Sequence, residues 1–223
     1  MADEKHLKAI IYLVVLSWTI VLVAHHETLK STWLEPLSVV TTSVLYAVMA
    51  FDLWLWKLPL LHGWFVKRPV LDGTWKVEFR SDYQTPTGIA PAPREGYMVI
   101  RQTHSTLSMR LLTAESESQL VGNEIVCTTD GAYCVSGVYR NEPRLEVRHR
   151  STIHYGGLWL KVIDQPAPEL DGHYWTDRKT AGQIHLTQPT RKRFQTFQAA
   201  KNYYDRLAAN APATIQSTST LGR

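Results

Sequence analysis

Two apolar segments at the start of the chain constrain the fold most, because they precede any sequence that resembles a globular domain. They cover residues 9–24 and 37–61, and a short polar stretch separates them. A helix needs about 20 residues to cross a hydrocarbon core of about 30 Å. We therefore expect a two-helix transmembrane hairpin, with spans at about residues 7–24 and 37–58. Asp52 and Lys57 lie near the end of the second span among three tryptophans, as interfacial anchors do.

Each segment also has a second interpretation. The first could be a signal peptide, but His25-His26-Glu27 follows it where a small-residue cleavage site would be expected. The second could be a buried helix of a soluble domain. Basic residues near the span ends predict the orientation, and both termini are expected in the cytoplasm. These residues are Lys5 and Lys8 before the first span, Lys30 between the spans, and Lys67, Arg68 and Lys76 after the second.

The chain after residue 66 has the length of one domain and reads mainly as strands. In the first of them Trp75, Val77 and Phe79 alternate with charged residues, which is the period of a half-buried strand. Similar runs follow at 97–104, 106–113, 119–128, 132–139, 144–153, 157–163, 172–179 and 183–187. Short strands with short turns predict an all-β fold, either a sandwich or an eight-stranded up-and-down barrel. Meander connections favour the barrel, which can enclose one small ligand.

The sequence thus divides into a transmembrane region (1–66), a barrel domain (67–190) and a C-terminal segment (191–223). The C-terminal segment starts with Arg191-Lys192-Arg193, continues with the spacing of an amphipathic helix, and ends in a Ser/Thr-rich tail that we expect to be disordered. Residues 67–223 hold 20 Lys and Arg against 15 Asp and Glu, a charge of about +5. This balance is compatible with an anionic ligand or an anionic membrane surface.

The clearest polar pattern lies in the last strands. If residues 172–180 are extended, then Tyr174, Thr176, Arg178 and Thr180 share one face. Such a row offers a ring for base stacking, hydroxyl donors and a planar guanidinium for phosphate. The alternative, equally compatible with the spacing, is that this row faces water while His173, Trp175 and Asp177 point inward.

Other polar residues could converge on the same cavity, namely Tyr139, Asn141, His154 and Arg101. The chain has no Gly-x-Ser-x-Gly nucleophile motif, no metal-spaced His or Cys cluster and no Gly-rich phosphate loop before a helix. We therefore predict a binding domain rather than an enzyme, with no catalytic residue, metal or cofactor.

Four motifs in this order resemble a known family. They are Leu71-x-Gly73-x-Trp75, Ser116 with Ser118, Tyr139-x-Asn141-x-Pro143, and Gly172-x-Tyr174-x-Thr176-x-Arg178-x-Thr180-x-Gly182. With the two apolar segments, they are similar to the SMODS-associated two-transmembrane β-strand-rich effectors of bacterial cyclic-oligonucleotide anti-phage systems. The resemblance covers the chain to about residue 188.

The resemblance implies a lipocalin-like barrel that senses a cyclic dinucleotide made by a partner nucleotidyltransferase. Binding is then expected to drive homo-oligomerisation, disrupt the bacterial inner membrane and arrest growth, so that the lipid bilayer is a partner and DNA and RNA are not. By motif position, Tyr174, Thr176, Arg178 and Thr180 are the implied ligand contacts. The runner-up function is a membrane-tethered barrel that binds a lipid or other apolar small molecule, with the Tyr174 row outside.

Overall fold

The computed structural model describes residues 11–12, 14–20, 23, 35–62, 64–82, 92–163 and 168–210. Its contacts group the chain into two compact units. One comprises residues 1–70 with 102–107, and the other comprises residues 71–101 with 108–223.

Eight antiparallel strands form a closed barrel in which each strand pairs with its neighbours in sequence and β8 pairs with β1. The strands are β1 (Gly73–Ser81), β2 (Arg94–Gln102), β3 (Leu107–Leu112), β4 (Ser116–Cys127), β5 (Tyr133–Pro143), β6 (His154–Ile163), β7 (Glu169–Thr176) and β8 (Ala181–Thr190). The predicted all-β, eight-stranded up-and-down barrel is therefore confirmed. Residues 83–91, between β1 and β2, lie outside the described residues.

One end of the barrel interior is filled by aliphatic side chains. Val135 of β5 lies opposite Leu160 of β6, and Leu186 of β8 lies between Leu170 of β7 and Val77 of β1. All five are fully buried. Because successive residues of a strand point to opposite faces, this packing fixes which residues face inward along each strand, up to the other end of the barrel.

A C-terminal helix, α2 (Phe197–Asn210), packs on the outer face of β1 and β2. Its Tyr204 ring stacks on Tyr97 of β2 with centroids 5.2 Å apart, and the Tyr204 hydroxyl lies 2.8 Å from the backbone oxygens of both Thr74 and Gln188. Burial raises the pKa of both Tyr97 and Tyr204, so both phenols stay neutral. The predicted disordered tail lies outside the described residues.

The predicted span at residues 37–58 is instead a shorter helix followed by turns. Helix α1 (Glu35–Leu53) ends where the Asp52 carboxylate accepts a hydrogen bond from the Ser105 backbone N–H (2.8 Å) and the Asp52 carbonyl accepts one from His104 (2.9 Å). The chain then forms 3-10 turns at Leu55–Lys57 and Pro59–Leu61.

None of the helices in the described part of the chain is long and apolar enough to cross a membrane. The prediction of a multi-pass inner-membrane protein is therefore wrong, and so is the orientation that was derived from it. Residues 7–10, 13, 21–22 and 24 of the first predicted span lie outside the described residues.

One predicted strand, at residues 144–153, is also wrong. This segment forms a 3-10 turn (Leu145–Val147) and further turns up to the start of β6. Its conformation is held by Arg148, whose guanidinium donates to the Pro143 carbonyl (3.1 Å) and to the Glu142 carboxylate (3.2 Å). We call residues 144–153 the β5–β6 connection.

Candidate functional site

A cavity of about 640 Å³ opens at the end of the barrel away from the aliphatic packing. This volume lies within the range of about 300–1,000 Å³ that is typical of small-molecule sites. Its lining residues come from all eight strands, the β3–β4 and β7–β8 turns, and the β1–β2 and β5–β6 connections. They are Phe79, Ser81, Ala92, Arg94, Met98, Leu111, Thr113, Glu115, Ser116, Ser118, Leu120, Tyr139, Asn141, Pro143, Val147, Arg150, Ser151, His154, Leu158, Tyr174, Thr176, Arg178, Thr180 and Ile184.

Seven of the eight predicted site residues line this cavity, and Arg101 does not. The seven are Tyr139, Asn141, His154, Tyr174, Thr176, Arg178 and Thr180. Met98 of β2 faces the cavity, so Arg101, three positions further along the same strand, points to the opposite face and is exposed. On β7, Tyr174 and Thr176 face inward, whereas Trp175 is exposed on the outer face.

The predicted extended row from Tyr174 to Thr180 is half strand and half turn. Strand β7 ends at Thr176, whose N–H donates to the Thr180 carbonyl (2.9 Å), and Lys179 donates back to the Thr176 carbonyl (3.2 Å). Lys179 takes the left-handed conformation, with φ of 60°. This hairpin turn, rather than strand periodicity, brings Arg178 and Thr180 to the cavity.

Arg178 bridges this hairpin turn and the β5–β6 connection. One guanidinium nitrogen donates to the Ser151 hydroxyl (3.2 Å), and another lies 3.4 Å from Nε2 of His154. His154 Nδ1 lies 2.9 Å from the Thr152 carbonyl and so is the protonated nitrogen, which leaves Nε2 as the acceptor. Burial lowers the pKa of His154, and the positive charge of Arg178 lowers it further, so the imidazole is neutral at pH 7.

Two neutral phenols form much of the inner wall. Burial is the main cause that raises the pKa of both Tyr139 and Tyr174. The Tyr139 hydroxyl donates to the Trp175 carbonyl (3.3 Å), and the Tyr174 ring meets Phe79 edge-to-face with centroids 6.5 Å apart. Gly156 makes room for Tyr139, because a Cβ there would lie 2.5 Å from the phenol.

The side chains of Ser118 and Asn141 form a buried pair on adjacent strands. They face each other in the β4–β5 register, and the Ser118 hydroxyl donates to Oδ1 of Asn141 at 2.7 Å. Asn141 is in turn opposite His154 in the β5–β6 register. The polar side of the cavity therefore runs without interruption across three neighbouring strands.

Sequence reasoning missed three charged residues at the cavity opening: Arg94, Glu115 and Arg150. The Arg150 guanidinium forms an ion pair with the Glu115 carboxylate of the neighbouring β3–β4 turn. The charged residues from Arg144 to Arg148 alternate with Leu145 and Val147, as in a half-buried strand, so the sequence predicts a strand that extends to Arg150. The apolar alternation stops after Val147, and that was the available signal for a connection.

The comparisons with known proteins agree with this architecture. A family model described as "Cap15, cyclic dinucleotide receptor domain" matches residues 66–188, more than half of the chain. The chain belongs to the Cap15 family. A similar protein, "CD-NTase-associated protein 15" of Staphylococcus schleiferi, is 25% identical over 154 residues, which cover 69% of this chain and 79% of that protein. The family predicted from the four motifs is confirmed: this is an anti-phage effector of the Cap15 type with a cyclic-dinucleotide sensing domain.

Proposed function

We propose that the barrel cavity is the site where this protein binds a cyclic dinucleotide, and that binding is the activating signal of the effector. The observation that carries this proposal is the distribution of charge in the cavity. Three exposed arginines, Arg94, Arg150 and Arg178, line it near the opening against one carboxylate, Glu115, whereas its buried lining is neutral. A ligand with two phosphates and two planar bases has the matching distribution.

The cavity offers side chains that can bind each part of such a ligand. Guanidinium groups bind phosphate oxygens through planar, bidentate hydrogen bonds. The rings of Phe79 and Tyr174 offer stacking surfaces for a base, and Thr176 and Thr180 supply hydroxyl groups beside Arg178. The family assignment supports the same ligand class. The relative's name associates it with a CD-NTase, so a partner nucleotidyltransferase is the expected source of the ligand.

The proposal involves binding without chemistry on the ligand. The titratable groups in the buried part of the cavity are Tyr139, Tyr174 and His154, and all three are held neutral by burial. The neutral phenols are poor bases, and the acceptor nitrogen of His154, Nε2, already faces the Arg178 guanidinium. The expected result is that the ligand is recovered intact by mass spectrometry after long incubation with the protein, and its hydrolysis would contradict this part of the proposal.

The runner-up function, binding of a lipid or other apolar molecule, requires the Tyr174 row to lie on the outside of the barrel. Tyr174 and Thr176 line the cavity instead, and arginines surround its opening. This placement favours an anionic ligand with aromatic parts over an apolar one.

Thermal unfolding of the full chain tests the assignment. A saturating cyclic dinucleotide, at about 100 times its Kd, stabilises the folded state by about 2.7 kcal/mol, which is a shift of several degrees in Tm. Linear dinucleotides and oleate serve as comparison ligands. A shift with oleate and none with any cyclic dinucleotide would overturn the proposal.

We also propose that ligand binding promotes a homo-oligomer and that this assembly arrests growth. A ligand can drive assembly only if it binds the assembled form more tightly than the monomer. Light scattering of the full chain should therefore show a larger mass with ligand than without. Unchanged mass at saturating ligand would contradict this step while leaving the binding site intact.

A further inference from the structure

Asn141 presents an unused pair of hydrogen-bond donors to the cavity. Its side chain is only 7% exposed, and Ser118, which donates to its Oδ1, is 8% exposed. Among the described residues, no protein atom accepts a hydrogen bond from the amide nitrogen of Asn141. The amide is thus oriented by Ser118, which occupies one of the two lone pairs of its oxygen, and its two N–H groups are left for a ligand.

The position of this amide determines which part of a ligand it meets. The arginines near the opening are exposed, and they can bind phosphates while water still solvates them. The buried side chains that line the cavity, which include Asn141, Leu120, Leu158 and Met98, carry no formal charge. Placing a phosphate there would cost more than placing a neutral base, because a charge in an apolar surrounding loses its hydration. A base is therefore the part of the ligand that reaches Asn141.

We propose that Asn141, held by Ser118, selects a base whose exposed edge carries a carbonyl group, as in guanine or uracil, over one that carries an amino group, as in adenine or cytosine. This inference rests on the proposed function and adds the class of base to it. Guanine offers the acceptors O6 and N7, and uracil offers O4; adenine shares N7 but carries an amino donor in place of O6, as cytosine does in place of O4. An amino group facing the amide N–H groups would leave donors unpaired on both sides.

The size of the selection follows from that mismatch. A site built to hydrogen-bond a ligand discriminates against an analogue that lacks the matching group, because the buried polar atoms of the site stay unpaired. One mismatched base edge typically changes affinity by roughly ten-fold or more.

Calorimetric titration of the full chain with matched ligand pairs tests this inference. Cyclic di-GMP and cyclic di-AMP form a purine pair of similar size, and cyclic di-UMP and cyclic di-CMP form a pyrimidine pair. In whichever pair binds more tightly, the carbonyl-bearing member should bind about ten-fold more tightly than its partner. Equal affinities, or tighter binding of the amino-bearing member, overturn the inference. Binding of none of the four overturns the proposed function and this inference with it.

Two substitutions separate an orienting role from a merely structural one. Ser118→Ala removes the donor that fixes the amide, so the amide can turn either edge to the ligand and the affinity ratio should fall toward one. Asn141→Asp replaces the donors with acceptors and should reverse the preference toward the amino-bearing ligand. The readout is the ratio of two affinities, which a general loss of stability does not change.

Matched controls use the same substitutions away from the cavity. Ser136→Ala lies on β5 but on the face opposite to Asn141, and Asn202→Asp adds the same charge on the exposed surface of α2. Both should keep the wild-type ratio. Circular dichroism confirms that each variant is folded, and the wild-type ratio decides the matter even if Asn141→Asp does not fold. A folded Ser118→Ala variant with an unchanged ratio would show that Ser118 does not orient the amide.

Discussion

Replacing Arg178 with alanine should weaken binding of the preferred cyclic dinucleotide while leaving the barrel folded. Arg178 is exposed in a hairpin turn, and its guanidinium contacts only the Ser151 hydroxyl and His154 Nε2 among the described protein atoms. The Ser151 contact is at the surface, and the buried His154 keeps its hydrogen bond to the Thr152 carbonyl without Arg178. The substitution therefore removes a ligand contact without creating a cavity in the packed interior.

The structure sets the size of the expected effect. A hydrogen bond to a charged group contributes about 1.5–3 kcal/mol. Arg178 must give up its contacts with Ser151 and His154 to bind phosphate, and solvent screens its charge, so the lower half of that range applies. Because each 1.4 kcal/mol is about ten-fold in Kd, we expect Arg178→Ala to weaken binding roughly ten-fold to forty-fold.

Calorimetric titration, with circular dichroism to check folding, measures this effect. Arg178→Lys keeps the charge but loses the planar fork, and it should recover only part of the affinity. Lys179→Ala is the matched control, because it removes a positive charge from the adjacent residue, which does not line the cavity. Wild-type affinity in a folded Arg178→Ala variant would refute the reasoning, and a loss in Lys179→Ala instead would show that the turn is oriented differently.

Three further predictions concern stability. His154 has a pKa below its ordinary value of 6.5 in the folded state, so the unfolded state binds more protons. We therefore expect the free energy of unfolding to decrease as the pH drops below about 6.5, and to decrease less in His154→Gln. Urea titrations at a series of pH values measure this difference. Tyr204→Phe removes the hydroxyl that binds two backbone carbonyls, and it should lower the free energy of unfolding by about 1 kcal/mol and the Tm by about 2–4 °C. An unchanged Tm would show that water replaces this bond. Gly172→Ala places a Cβ 1.9 Å from the Trp159 carbonyl oxygen and should lower the free energy of unfolding by about 1–3 kcal/mol. In the control Gly122→Ala, the new Cβ meets nothing within 4 Å, so stability should not change. Equal effects of the two substitutions would contradict the packing.

The strands could be predicted from sequence because each has one face packed inside the barrel. Trp75 and Val77 of β1 are buried and alternate with more exposed residues, and that period of two is visible in the sequence. The face of β7 that lines the cavity could not be predicted, because both of its faces carry aromatic and polar residues. The neighbouring strand decides it: Gly157 of β6 has no side chain, and the Trp175 ring covers it on the outside of the barrel.

The errors arose where a contact between distant residues overrides the local pattern. Residues 37–58 are apolar enough to suggest a span, yet Asp52 binds the backbone of Ser105, 53 residues further along the chain, and α1 ends there. Residues 144–153 resemble a strand, yet the Arg150 guanidinium pairs with Glu115 and the segment forms turns at the cavity opening. Neither contact can be predicted from the residues that are adjacent in sequence.

Affinity and selectivity are expected to come from different parts of the cavity, and the sequence reveals them unequally. Arg178 belongs to a motif, and its charge alone indicates an anionic ligand. The role of Asn141 depends on which way its amide is turned, and Ser118, 23 residues away, sets that direction through the register of β4 and β5. A residue type can thus identify the class of ligand, whereas the choice of base requires the orientation of a single amide, which only the assembled barrel defines.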